Sequence, residues 1–307
     1  MSNLIKKPAE IVGKETIAAL IYGQPGMGKS TLACSAPKPV LFDFDGGCVR
    51  MRDEHQVPTV QIESWDQAQE ALRELEGAKD EYGTVIVDTL SKMVDCIVVS
   101  ICGTAQPKIN QWGLVNAKFK AFLRGVQSLG MNIVFVAQRD VEKDGEVTRY
   151  VPQVRASNYK DIVCDLDVMG YMEMVNEKGR EVRCITFNPS SRSEGKNTAD
   201  FAPAYIIEEL PVGKPNTFLT DRFAEYVQKQ REKAKKRQEA AKATDNRLSE
   251  FEDEVESCTD AMSLNSLMQK VAEERPTGDA KLRMREIIKK HAAKLNLKLN
   301  KETKLYE

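Results

Sequence analysis

A glycine-rich run near the N-terminus has the residue types and spacing of a phosphate-binding loop. It matches the pattern G-x-x-x-x-G-K-[ST] and consists of Gly23, Gln24, Pro25, Gly26, Met27, Gly28, Lys29, Ser30 and Thr31. In such a loop the glycines let backbone N–H groups turn inward around an anion, and the lysine neutralises the β- and γ-phosphates. The hydroxyl of Ser30 is then a ligand for Mg²⁺. The run therefore predicts binding of a nucleoside triphosphate with its metal ion.

A second chemical marker is an acid at the end of an apolar strand. The run Thr-Val-Ile-Val at residues 84–87 leads directly into Asp88. A carboxylate at the carboxyl end of the strand that neighbours the P-loop strand can hold Mg²⁺, directly or through water. We therefore expect Asp88 to share the metal ion with Ser30, and we expect its strand to lie beside the strand that enters the loop.

These two markers need a sheet that brings strand ends together, and the sequence predicts one. Up to about Val227, short β-rich runs alternate with helical periodicity. The predicted strands are Thr16–Tyr22, Pro39–Phe44, Thr59–Ile62, Thr84–Val87, Asn132–Ala137, Asp165–Tyr171 and Arg183–Phe187, with helices such as Trp65–Glu76 and Asn116–Leu129 between them. Strands that are apolar on both faces are typical of a mainly parallel sheet flanked by helices. The pattern predicts a doubly wound α/β domain.

The composition changes beyond Val227. Residues 229–242 carry seven Lys and Arg against two Glu, and residues 245–260 carry seven acids against one Arg. Apolar residues at helical spacing follow. We therefore predict three parts: an α/β core at residues 1–227, a charged helical linker at 228–257, and a small helical hairpin at 258–307.

Composition excludes several classes of protein. The formal net charge of the 307 residues is −1, so any nucleic-acid contact must come from a local basic patch. No apolar run approaches the roughly 20 residues of a membrane span. The first fifteen residues lack the apolar region of a secretion signal, and the seven cysteines form no C-x-x-C pair. We therefore expect a cytoplasmic protein without a disulfide framework or a cysteine-based zinc site. Two histidines give little support to a Ser-His-Asp hydrolase.

The segment after the P-loop resembles the RecA-type ATPase core. Following a very short helix, residues 38–47 read Lys-Pro-Val-Leu-Phe-Asp-Phe-Asp-Gly-Gly. More narrowly, they resemble the short phage-encoded, AAA-family ATPases known as RecA-like single-strand-annealing recombinases. This resemblance implies a RecA-like fold that binds ATP and Mg²⁺. The last acid of the motif activates the attacking water in that fold, which assigns the role to Asp45. Glutamate is usual there. The alternative is that Asp45 caps the Gly46-Gly47 turn.

The resemblance also implies a phosphate sensor followed by a DNA-binding loop. The run Asn132–Ala137 resembles the RecA strand that ends in a polar γ-phosphate sensor, here Gln138. The segment after it corresponds to the second DNA-binding loop, in which the candidate DNA contacts are Arg139, Lys143, Arg149, Tyr150 and Arg155. The same residues are also compatible with a plain hairpin that turns at Asp144-Gly145.

Two further sites follow from the resemblance. The first DNA loop would fall near residues 103–113, with Lys108, Gln111 and Trp112 as candidates, although Trp112 is equally compatible with a core anchor. Lys196 and Asn197 resemble the K-N-[K/R] finger that enters a neighbour's nucleotide site. Thr198 departs from that motif, and Arg192 is a possible substitute for its second cation. Such a trans cation would make hydrolysis depend on assembly.

The resemblance implies a DNA-dependent ATP hydrolase that assembles on single-stranded DNA and promotes annealing or strand pairing. Its catalytic residues would be Lys29, Asp45, Asp88, Gln138 and Lys196. Its partners would be single-stranded DNA, further copies of itself in a ring or filament, and a single-strand-binding protein. Three alternatives stay open: a small-molecule P-loop kinase, another phage motor for DNA packaging or helicase loading, and a nucleotide-switched binding module. The terminal hairpin is rich in Lys and Arg and is a candidate surface for DNA or a protein partner.

Overall fold

The computed structural model describes residues 6, 8–11, 13–144, 147–154, 162–274 and 278–307. The chain divides into two compact units. One comprises Lys14–Gln230, and the other comprises Arg231–Glu307 with the N-terminal residues. Among the described residues, no helix is both long enough and apolar enough to cross a membrane.

The unit at residues 14–230 alternates strands and helices. Its strands are β1 (Ala18–Gly23), β2 (Pro39–Asp43), β3 (Thr59–Gln61), β4 (Thr84–Asp88), β5 (Asn132–Asp144), β6 (Val147–Pro152), β7 (Val168–Glu177), β8 (Arg180–Thr186), β9 (Lys196–Asn197) and β10 (Ala204–Ile207). The helices between them are α1 (Lys29–Ala33), α2 (Trp65–Glu74), α3 (Leu90–Cys102) and α4 (Gln111–Ser128). The long helix α5 (Phe218–Glu256) follows the last strand.

The strands form one mainly parallel sheet. Its order is β10-β8-β7-β1-β5-β4-β2-β3, with β6 paired to β5 and β9 paired to β7. The strands from β7 to β3 along this order are parallel to their neighbours, whereas β8, β10, β6 and β9 pair in antiparallel fashion. Two apolar clusters cover the two faces of the sheet, as expected for strands that are buried on both sides. The predicted α/β fold class, with a mainly parallel sheet and a helical C-terminal region, is confirmed.

The position of the Asp88 strand differs from the prediction. We expected β4 to neighbour β1, but β5 lies between them and pairs in parallel with both. The prediction was wrong because β5 is apolar enough to be buried on both faces and so occupies the centre of the sheet. Its insertion places Gln138 opposite Gly23, at the end of the strand that enters the P-loop.

Several element bounds also differ from the predictions. β5 runs past the predicted end at Ala137 to Asp144, because its second half pairs with β6. The strand expected from Asp165 begins at Val168, and residues 162–165 are helical. Helix α4 begins at Gln111 rather than Asn116.

The C-terminal residues build a separate helical core. Helices α6 (Ala261–Glu274) and α7 (Gly278–Lys294) pack with the end of α5. Their shared apolar cluster includes Leu248, Phe251, Val255, Leu264, Met284, Ile288 and Tyr306. Arg247 adds ion pairs with Glu254 at 3.1 Å and Glu274 at 2.9 Å on its rim.

Candidate nucleotide-binding site

The phosphate-binding run forms the turn between β1 and α1. Gly26 and Gly28 have φ angles of 77° and 83°, in the left-handed region. No atom lies within 4 Å of the position that a Cβ would take at either residue. Backbone conformation, rather than crowding, therefore favours glycine at these positions. The turn leads directly into Lys29, the first residue of α1.

The side chain of Lys29 is buried and reaches across to β5. Its Nζ donates to the carbonyl oxygen of Gln24 at 2.7 Å and to Gln138 Oε1 at 3.0 Å. Burial lowers the pKa of Lys29, while the charges of Asp88 and Asp45 oppose that shift. A phosphate beside this ammonium would offset the cost of removing it from water. Lys29 is thus placed for an anion, with Gln138 in direct contact.

The side chains of Ser30 in α1 and Asp88 at the end of β4 are in direct contact, although β5 lies between β1 and β4 in the sheet. Ser30 Oγ donates to Asp88 Oδ2 at 2.5 Å. Burial raises the pKa of Asp88 to about 6; the nearby Asp45 and Asp43 act in the same direction, while the Ser30 hydrogen bond and Lys29 oppose them. A hydroxyl and a buried carboxylate are hard oxygen ligands, which suit Mg²⁺.

The donor set fits the way in which Mg²⁺ is usually held. No group of three or more His, Cys, Asp or Glu side chains forms a metal cluster within the described ranges. Proteins commonly bind Mg²⁺ through one or two carboxylates together with waters and substrate phosphates. Ser30 and Asp88 would supply the protein ligands, and the ion would neutralise charge on the phosphates.

The two acids at the end of β2 have different environments. Asp43 is 2% exposed, and its carboxylate accepts backbone N–H groups from the turn that follows. Burial works to raise the pKa of Asp43, but the hydrogen bonds from Cys48, Gly47 and Asp45 outweigh it, so the pKa lies below its ordinary value. Asp45 is exposed and lines the same cavity as Lys29. Asp45 is therefore the acid of the pair that is accessible to a ligand.

A cavity of about 580 Å³ joins these groups. It is lined by most of the P-loop and by Asp45, Asp88 and Gln138. The structure thus brings together four of the five predicted catalytic residues. The chemical roles assigned to these four residues stay predictions.

Sequence reasoning missed part of this cavity. Arg50, Arg52 and His55 line it after the Asp45 turn, and Arg183, residues 207–210 and Asn216 also contribute. The first three follow Asp45 closely enough that their position in the chain could have indicated them. Arg183 and Asn216 belong to distant segments without a motif, so only the fold reveals them.

The residues after Gln138 form the hairpin of β5 and β6, as the alternative interpretation expected. Arg139 and Tyr150 contact each other inside it: the guanidinium carbon lies 4.3 Å from the ring centroid. Arg139 Nη1 also donates to Tyr171 Oη at 2.9 Å, and the Tyr171 ring stacks on Tyr150 at 5.4 Å. Base stacking by Tyr150 would therefore require this cluster to open.

The other predicted DNA contacts on the hairpin are placed differently. Lys143 is exposed. Arg149 forms an ion pair with Glu194 at 3.5 Å. Arg155 lies outside the described residues. Of the three described cations predicted here, Lys143 is thus the exposed one.

The segment before α4 carries the other DNA candidates. Lys108 is exposed, and Gln111 Oε1 accepts the backbone N–H of Lys108 at 2.7 Å. Trp112 is half-buried and packs against the main apolar cluster, which is the contact expected of a core anchor.

Lys196 is engaged within its own chain. Its Nζ donates to the carbonyl oxygens of Val163 at 2.8 Å and Cys164 at 3.1 Å. Asn197 bonds Asn188 and the backbone of Phe201, which organises the loop around β9. Entry of Lys196 into a neighbour's site stays a prediction.

The fold and the cavity define a P-loop ATPase. A model of the AAA domain family AAA_24 matches residues 15–199, more than half of the chain, and the chain belongs to this family. No curated protein matches the sequence. Among solved structures, the flagellar accessory protein FlaH from Methanocaldococcus jannaschii is similar, with 10% identity and a TM-score of 0.37 over 62% of this chain and 84% of FlaH.

Proposed function

We propose that this ATPase is a single-stranded-DNA-binding recombinase that promotes annealing or strand pairing. One contact carries the proposal: Lys29 Nζ lies 3.0 Å from Gln138 Oε1, in the cavity that would hold the terminal phosphate. Gln138 is immediately followed by the β5–β6 hairpin. A nucleotide that displaces this contact would therefore act on the hairpin directly.

The hairpin is tied to the nucleotide site by its backbone as well. The N–H of Gln153 donates to the carbonyl oxygen of Gln138 at 2.7 Å, closing the hairpin at its base. Tyr22, the residue before Gly23 in β1, also contacts the hairpin: its hydroxyl donates to the carbonyl oxygen of Tyr150 at 3.0 Å. Both strands of the hairpin thus contact residues that adjoin the P-loop, which supports coupling between nucleotide state and hairpin position.

DNA contact would use the exposed cations around these segments. Lys143 on the hairpin and Lys108 before α4 have ammonium groups accessible to phosphates. Opening of the Arg139–Tyr150 cluster would add a cation and an aromatic ring for a base. The nucleotide would thereby determine how many DNA contacts are available.

Hydrolysis in this proposal takes place between copies of the chain. Lys196 would leave the two carbonyl oxygens that it contacts and approach the neighbour's terminal phosphate. Two neutral acceptors are weaker partners for an ammonium than a phosphoryl group, so the exchange is electrostatically favourable. The active species would then be a homo-oligomer assembled on DNA.

The test measures ATP hydrolysis alone, with single-stranded DNA, and with duplex DNA. We expect single strands to stimulate turnover and Lys29→Ala to reduce it at least about 100-fold, because the phosphate loses its main counter-charge. Lys79→Ala, at an exposed lysine away from the cavity, serves as the control and should retain full stimulation.

The other results of this ATPase assay distinguish the alternative functions. Stimulation by duplex DNA alone would favour a packaging or helicase-loading motor. Turnover that no nucleic acid changes would contradict the recombinase proposal while leaving the ATPase intact. An annealing assay with complementary oligonucleotides then tests the strand-pairing step itself.

A further inference from the structure

Asp43 is a buried carboxylate that accepts three backbone N–H groups. Its Oδ1 accepts the N–H groups of Asp45 at 3.2 Å and Gly47 at 3.1 Å, and its Oδ2 accepts that of Cys48 at 3.0 Å. All three donors belong to the short turn that carries Asp45. A charged acceptor shared by three amides fixes such a turn more firmly than neutral hydrogen bonds would.

The same turn is fixed from its other side. The N–H of Phe44 donates to the carbonyl oxygen of Asp88 at 2.7 Å, which joins the ends of β2 and β4. A Cβ at Gly47 would lie 2.8 Å from Asp45 Oδ1, so the Asp45 carboxylate lies directly over this glycine. The backbone around Asp45 is thus held by Asp43 and by β4, and its side chain is close to the turn.

We propose that Asp43 is a positioning residue that holds the Asp45 carboxylate at the terminal phosphate. The proposal rests on the proposed role of Asp45 in activating water, and it needs no contact between Asp43 and the substrate. Asp45 lines the cavity, whereas Asp43 is absent from its lining and its oxygens are occupied by backbone amides. Asp45 is therefore the acid that is accessible to the ligand, and Asp43 is the acid that orders the turn.

A double-mutant cycle tests this arrangement in the full-length chain. Asp43→Asn keeps the size of the side chain but directs an NH₂ group at one of the backbone N–H donors. We expect kcat for ATP hydrolysis without DNA to fall about 10- to 100-fold, within the range of a general base that is misplaced. The Kd of a non-hydrolysable ATP analogue should change less than about threefold, because the P-loop contacts are untouched.

The decisive comparison is in the Asp45→Asn background. If Asp43 acts through Asp45, adding Asp43→Asn to Asp45→Asn should lower kcat by less than about twofold. An equal loss in both backgrounds would overturn the proposal, as would a parallel loss of analogue affinity. Asp53→Asn, which removes an exposed acid a few residues further on, is the matched control and should leave kcat unchanged.

Hydrogen exchange gives an independent measurement. In Asp43→Asn the amides of Asp45, Gly47 and Cys48 should exchange at least about 10-fold faster, with β1 and β5 unchanged. Unchanged protection of these three amides would contradict the proposal. Asp43→Ser, which also shortens the acceptor, repeats both measurements if Asp43→Asn fails to fold. All of these rates are measured without DNA. A lack of DNA stimulation in the separate assay would therefore reject the recombinase proposal but would leave the positioning role of Asp43 standing.

Discussion

The guanidinium of Arg139 lies on the ring of Tyr150, with 4.3 Å between the guanidinium carbon and the ring centroid. Arg139 directly follows Gln138, which contacts Lys29 of the P-loop. Two residues that the sequence assigned to DNA contact are thus partners of each other in this structure. The pair links the end of the nucleotide cavity to the second strand of the hairpin.

Arg139→Ala should destabilise the protein by about 1–3 kcal/mol. The substitution removes a cation–π contact and leaves the hydroxyl of Tyr171 without its donor. Urea unfolding measures the change in the free energy of unfolding. Lys143→Ala, at an exposed position on the same hairpin, is the control and should change stability by less than about 0.5 kcal/mol. Equal effects of the two substitutions would show that the Arg139 contacts contribute nothing to stability.

Gln138→Ala should leave nucleotide binding nearly unchanged while it reduces turnover and DNA stimulation. Lys29 keeps its contact with the Gln24 carbonyl, so the Kd of an ATP analogue should change less than about threefold. We expect turnover to fall about 10- to 100-fold and stimulation by single-stranded DNA to disappear, because the amide between phosphate and hairpin is gone. Gln153→Ala is the control, since among the described residues Gln153 bonds the hairpin through its backbone N–H. Retained DNA stimulation in Gln138→Ala would contradict the sensor role.

Asp88→Asn should stabilise the nucleotide-free protein at alkaline pH. The pKa of Asp88 is raised from 3.8 to about 6, chiefly by burial. A raised carboxyl pKa means that the ionised form is disfavoured in the folded state, so the penalty grows as pH rises from about 4 to 6 and is constant above. Removing the charge should add about 1–3 kcal/mol at pH 8 and less at pH 5.

The same variant should lose the stabilisation that Mg²⁺ and nucleotide give together. Chemical denaturation at pH 5 and pH 8, with and without Mg²⁺–ATP analogue, measures both effects. Ser91→Ala, beyond the Asp88 strand end, controls for local substitution. A gain in stability that does not depend on pH would show that burial of the Asp88 charge is not its cause.

The sequence predicted the nucleotide cavity better than it predicted the sheet around it. Gly26, Lys29 and Ser30 are fixed by a local pattern whose spacing follows from phosphate geometry, so no long-range information was needed. The order of β1, β5 and β4 depends on which apolar strand occupies the centre. Strands that are buried on both faces have similar composition, and the pattern of a single strand does not reveal its neighbours.

The hairpin shows a different limit. A basic and aromatic segment after Gln138 is compatible with DNA contact or with internal packing, because arginine and tyrosine serve both. The partner of Tyr150 is Tyr171 in β7, and this contact between segments distant in the chain exists only through the sheet order. Asp43 was likewise visible as an acid, but its three amide partners depend on the conformation of the turn.

The basic side of the C-terminal helical unit offers a last prediction. Lys281, Arg285 and Lys289 are exposed on α7 at intervals of four residues, which places them on one stripe with about 6 Å between successive positions along the axis. None of the three has an ion-pair partner within the described part of the chain. Such a stripe can follow the phosphates of a nucleic-acid strand.

Replacing these three residues with glutamine should weaken binding of single-stranded DNA by the full-length chain about 10-fold at 0.1 M salt and reduce the salt dependence of log Kd by about 2, because about three phosphate contacts are lost. Arg73, Lys79 and Lys214, exposed cations of the other unit, provide the charge-matched control when replaced in the same way. Fluorescence anisotropy across a salt series measures both sets. If both triple variants weaken binding equally, overall charge explains the loss. If neither does, the α7 stripe is a solvated helix face, since a true phosphate contact must lower the salt slope when its cation is removed.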